Sequence, residues 1–290
     1  MGAERAISGG SHGRDALVDL KEGREILRSR WFGITAGSFF VIALAMAALS
    51  MAGSGYIGLA GFGRTAAALV HLSALIASLM GLGLGAMTWA AERESGTLAY
   101  LLSYPVSRAQ VWAAKAIGGA MVLAAAMALG FGITGLIIGL GGGLGGAEEA
   151  GRYAALAAGA TLLAWTTYGL GMTLGVGLRR QSTALGLSLL AWLAGVFLSD
   201  LGLMGLVGAF ALSPAVLWWL TVLNPLHAFR ILAMVWLNGS PDLLGPAGAY
   251  AWRTYGEALG PMLTAIMLGW LALAFLMAAL RFGRLQDIAA

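Results

Sequence analysis

The sequence predicts an all-α integral membrane protein with about six transmembrane helices, and three observations carry that prediction. Hydrophobic residues make up 59% of the chain and charged ones only 10%, against roughly 45–50% and 25% in soluble domains. The apolar residues gather in runs of about 20, the length a helix needs to cross about 30 Å of hydrocarbon. The basic residues are shared unevenly among the connecting segments, as the positive-inside rule requires of a multi-span chain.

In chain order, residues 14–30 come first. Leu20, Gly23, Leu27 and Trp31 recur at three- or four-residue intervals, while Asp19, Lys21, Glu22, Arg24, Glu25 and Arg28 occupy much of the rest. That pattern predicts an amphipathic helix along the membrane surface; the plainer alternative is a charged helix that only orients the chain. The first apolar run is too long for the hydrophobic core of a cleaved signal peptide, so it is expected to remain as a span.

Spans are expected at 31–53, 66–90, 111–140, 153–178, 182–199 and 262–280. The stretch 201–223 is apolar but broken by Pro214 and carries Trp218 and Trp219. It predicts re-entrant or interfacial helices between spans five and six, since Trp favours the headgroup level. With both termini inside, 13 of the 17 Lys and Arg residues face the cytoplasm, and Arg64, Arg152, Arg230 and Arg253 lie outside. A seventh span would expel Arg281 and Arg284. The chain reads as one transmembrane domain, 1–290, with 200–261 as its extracytoplasmic segment, in a bacterial cytoplasmic (inner) membrane.

Several chemistries find no support. Cysteine is absent, which removes thiolate metal sites and a cysteine nucleophile. No GxxxxGK[ST] phosphate-binding loop occurs, and the glycine run at 139–146 lacks the required Lys. The GxSxG match at Gly9–Gly13 lies in a polar tail without the strand and helix a nucleophile elbow needs. The 13 methionines read as lipid-facing or core residues, and His71 as a hydrogen-bonded polar residue, rather than as a copper path. No catalytic, cofactor-binding or metal residue is assigned, and no nucleic-acid partner. The spans carry almost no Asp or Glu, which argues against a cation pump. Small residues stripe two spans, Ser78, Gly81 and Gly85 in one and Ala164, Gly171 and Gly175 in the other. They predict close helix packing within the chain, with a dimer contact as the other reading.

The most informative stretch is the loop between spans two and three, AERESGTLAYLLSYPVSRAQVWAAK. Ser95 or Thr97 is expected to cap a new helix, and Gly96 to permit a sharp change of direction. Leu98, Leu101 and Leu102 then share one face until Pro105 ends the helix. Burying such a leucine is worth about 1.5–3 kcal/mol, so the face requires a groove, on a partner or on this chain.

The pattern Glu92-x-x-x-Gly96-Thr97-Leu98-x-x-Leu101-Leu102-x-x-Pro105-Val106-Ser107-Arg108 resembles the signature of ABC-2 type permeases. The resemblance implies that 92–108 is a coupling helix docking in an ATPase subunit, with Glu92, Glu94, Gly96, Thr97, Leu98, Leu101, Leu102, Pro105 and Arg108 as its contact set. It further implies a homodimer bearing two separate ATPase chains, which hold the ATP and Mg. This chain would then be a permease subunit and not an enzyme. The runner-up classes are a non-transporting membrane scaffold and an intramembrane enzyme.

A narrower resemblance is to permease subunits of the transporter that matures nitrous oxide reductase. It rests on LKEGREILRSRWF before span one, LLSYPVSRAQ in the loop and VLNPLHAFRIL outside. The last is similar to an Asn-Pro-x-x-x-x-Arg element, carried here by Asn224, Pro225 and Arg230; an acidic residue is common in that family where this chain has His227. It implies a sulfur species as cargo for a copper–sulfur centre and a periplasmic accessory protein as receiver. An ABC-2 exporter of a lipid, drug or other small molecule is the alternative. Asn224-Pro225 also reads as a helix start, and Arg230 as an external group for a partner protein, an anionic substrate or lipid headgroups.

Overall fold

A computed structural model describes residues 59–97, 107–140, 146–210, 212–237 and 245–284. The surface helix at 14–30, the span at 31–53 and residues 98–106 of the loop lie outside the described residues. The described chain is helical throughout: α1 Leu59–Glu94, α2 Arg108–Leu140, α3 Ala147–Gly175, α4 Gln181–Leu193, a π-helical segment Ala194–Leu198, α5 Ser199–Ala209, α6 Pro214–Val222, α7 Pro225–Trp236, α8 Gly245–Tyr255 and α9 Leu259–Gly283.

Four helical stretches among the described residues are long and apolar enough to cross a membrane: 70–94, 108–137, 181–206 and 247–283. The pair α6 and α7, bent by 107° at a short break, makes a fifth if counted as one span. Helix α3 has the length, 29 residues, but less apolar character than its expected role as a clear span implies. It is the centre of the bundle, packed against α1, α9, α2 and α7. A helix walled by other helices meets little lipid, so its Thr166, Thr167 and Tyr168 are buried without facing hydrocarbon.

Helices α1 and α3 approach through glycine. A Cβ added at Gly81 or Gly85 would overlap backbone carbonyl oxygens of Ala164 or Tyr168, and one added at Gly171 or Gly175 would overlap those of Leu82 or Ala86. The expected small-residue stripe is thus an intrachain seam, as small-residue packing in membranes predicts. Ser78 departs from it: its hydroxyl donates to the Ala74 carbonyl and accepts from Trp192 Nε1 on α4.

The expected fifth span ends too early at residue 199. The helix runs on through the π-helical segment and α5 to Ala209, because Asp200 is compensated from another helix. Pro214 and Pro225 each start a helix, behind N-caps Ser213 and Asn224 whose side chains accept from backbone N–H groups. The bent helices expected after span five therefore occupy 214–236 rather than beginning at 201.

Candidate functional site

Where α1 stops and α2 starts, the bundle gathers Arg93, Arg108, Lys115, Arg179, Arg180, Arg281 and Arg284. Contacts place these helix ends at one level. The Glu94 carboxylate accepts from the Gln181 backbone N–H at 2.8 Å, closing the start of α4. Trp89 stacks on Phe282 with centroids 4.3 Å apart, and Arg281 donates to the Thr173 carbonyl at 3.0 Å.

The loop between α1 and α2 leaves and re-enters the bundle here. Glu92 Oε1 accepts from Lys115 Nζ at 2.7 Å, with the two side chains 15% and 8% exposed. Thr97 Oγ1 donates to the other Glu92 carboxylate oxygen. The pair Glu92 forms joins the end of α1 to the second turn of α2. A lysine this buried keeps its charge only with a partner, and Glu92 supplies it. Beneath the pair, the buried Tyr168 hydroxyl donates to the Lys115 carbonyl at 2.8 Å, so α3 holds the same turn of α2.

Ser95 and Thr97 also bond back towards α1, and the helix one of them was expected to cap lies outside the described residues. The Ser95 hydroxyl donates to the Ala91 carbonyl at 2.9 Å, satisfying an acceptor a helix end leaves open, while the Thr97 proton goes to the Glu92 carboxylate. Gly96 does turn the chain as expected, with φ at +72°, a left-handed value open to glycine. The loop closes on Ser107, which bonds Gln110 at the start of α2. Leu98, Leu101, Leu102 and Pro105 lie outside the described residues.

A second polar cluster occupies the other end. Arg230 Nη1 sits 3.2 Å from Asp200 Oδ2, and His227 Nε2 lies 3.0 Å from Ser199 Oγ and 3.3 Å from Asp200 Oδ1. Both contacts use one ring nitrogen, so this is not the Ser-His-Asp relay of a hydrolase, which needs both nitrogens. Among the described residues no three His, Asp or Glu side chains gather to hold a metal. Asn224, Pro225 and Arg230 do not form an exposed patch: Pro225 is buried, and the other two direct polar atoms at the α4–α5 span. Asp200 and Ser199 were missed in the sequence; a charge ending an apolar run was the available signal.

This helical bundle, with a charged loop at its basic end, has the make-up of a membrane transporter subunit, and residues 17–286 match the model of the ABC-2 family transporter proteins. The chain belongs to that family. It is 32% identical to a probable ABC transporter permease protein NosY of Stutzerimonas stutzeri, over 92% of this chain and 97% of that one. It is 31% identical to the probable NosY permease of Pseudomonas aeruginosa, over 74% and 79% of the two chains.

Proposed function

We propose that this chain is the transmembrane permease subunit of an ABC transporter, works as a homodimer and is driven by a separate ATPase docking on residues 92–108. The observation that carries the reading is the buried Glu92–Lys115 pair, which locks the two roots of the loop together. A loop so anchored passes a push from its tip to α1 and α2 at once, and Tyr168 extends the connection to α3. The basic end then faces the cytoplasm, the undescribed 31–53 supplies another span, and α3 completes a set of six with both termini inside the cytoplasmic membrane.

The similarity to NosY permeases supports a cargo used in maturing nitrous oxide reductase, a sulfur species for its copper–sulfur centre, with an accessory protein receiving it outside. The deciding experiment is co-purification with an ABC ATPase subunit produced in the same cells, and vesicle transport, for the wild type and Leu101→Asp. The variant is expected to insert in the membrane yet capture no ATPase. Normal assembly and ATP-driven transport by Leu101→Asp would refute the docking assignment. The cargo is tested separately: inactivating the gene is expected to leave nitrous oxide reductase without its copper–sulfur centre, and a fully loaded enzyme would refute it.

A further inference from the structure

The π-helical segment Ala194–Leu198 interrupts a span that carries a carboxylate, Asp200, partway along an apolar run. Such a bulge shifts hydrogen bonding by one residue and is frequent at functional sites. Here the Gly195 carbonyl takes two donors, Ser199 Oγ at 2.5 Å and Asn224 Nδ2 at 2.7 Å. The same Asn224 nitrogen also donates to Ser199 Oγ at 2.9 Å, while Asn224 Oδ1 accepts from the Leu226 N–H at 2.9 Å and starts α7. One side chain therefore caps the re-entrant elbow and pins it to the bulge.

The neighbouring contacts point the same way. Ser199 has one hydroxyl proton, and it is directed to Gly195, so His227 must be the donor to Ser199 Oγ and carries its proton on Nε2. That N–H is shared with Asp200, which also accepts from Arg230. Three side chains of one short helix start, at 224, 227 and 230, thus converge on two successive residues of the other span. Helix α7 itself packs on α1, α3 and α9, so the fastening ties the α4–α5 span to the body of the bundle.

We propose that Asn224, His227 and Arg230 are positioning residues that join the bent α6–α7 elbow to the outer half of the α4–α5 span, making α5, α6 and α7 one body, seated on α1, α3 and α9, against which α4 hinges at the π bulge. The hinge motion rests on the reading of the chain as a nucleotide-driven permease; the joint itself does not. Partial release is built in at the two Asp200 contacts, since that side chain is 43% exposed, whereas the Asn224 contacts are part-buried.

The chain has no cysteine, so spin-label pairs can be introduced cleanly at exposed positions. Leu206→Cys with Val216→Cys reports within the body, and Leu189→Cys with Met204→Cys reports across the bulge. In the complete complex, trapping with ATP and vanadate is expected to move the second distance by about 5 Å, the scale of one helical turn, and to leave the first unchanged. Asn224→Ala with Arg230→Ala should broaden the within-body distances, and the exchange Asp200→Arg with Arg230→Asp should narrow them relative to Arg230→Ala alone. Equal shifts in both pairs, or no shift across the bulge in an ATPase-bearing complex, would overturn the hinge. If no ATPase is captured, the permease reading fails by itself. The joint is still decided on the isolated chain: narrow within-body distances in the double alanine variant would overturn it.

Discussion

Glu92 and Lys115 stand 23 residues apart in the chain and 2.7 Å apart in space. Between them runs the segment whose leucines are expected to meet the ATPase. Their pairing converts two helix ends and a loop into a closed frame, with Tyr168 of α3 bonded to its inner edge.

Breaking that frame from one side leaves a buried charge alone, which costs about 3–5 kcal/mol. Lys115→Met is therefore expected to lower the thermal stability of the purified protein sharply. Replacing both partners, Glu92→Met with Lys115→Met, should recover most of it, because an apolar pair needs no compensation. Melting curves of the three proteins in one detergent decide the matter; an unchanged midpoint for Lys115→Met would show that the pair holds nothing.

Arg108→Ala tests the loop's charged flank independently of its leucines. The variant is expected to keep its fold and lose affinity for the ATPase, measured as a weaker yield on co-purification. A yield equal to the wild type would remove Arg108 from the contact set.

The glycine seam makes a steric prediction. Gly85→Ala places a methyl group into the Tyr168 backbone, and overpacking of this kind costs about 1–3 kcal/mol even where side chains can shift. Here the obstacle is backbone, so a loss at the upper end of that range is expected. Gly186→Ala, with open space around it, should be neutral or slightly stabilising, since alanine is the better helix former. Equal stabilities for the two variants would contradict the close approach of α1 and α3.

Topology has its own test. Reporter fusions after Gly146 and after Pro241 are both expected to report the outside. A cytoplasmic signal at either site would overturn the six-span arrangement.

Much of the fold was legible from local pattern. The runs at 66–90 and 111–140 fall inside α1 and α2, and Pro214 and Asn224-Pro225 mark helix starts because proline's fixed φ and missing N–H suit a first turn. What escaped depends on partners distant in sequence. The fifth span was ended at residue 199 because Asp200 looks like an exit from the membrane, and only the fold shows Arg230 against it. The burial of Lys115 beside Glu92 has no local signature. Helix α3 read as an ordinary span on its length, and its lower apolar character, which fits a helix walled by others, was passed over.

The glycines of the α1–α3 seam repeat every four residues, Gly81 with Gly85 and Gly171 with Gly175, and backbone sits in each notch. Two such surfaces cannot creep past each other by a fraction of a turn, because the next tooth would strike a carbonyl. Their next matching register lies four residues away, about 6 Å along the axis. The spine of the molecule is in effect a rack: displacement at one end arrives at the other without slack, or the whole pair skips a notch.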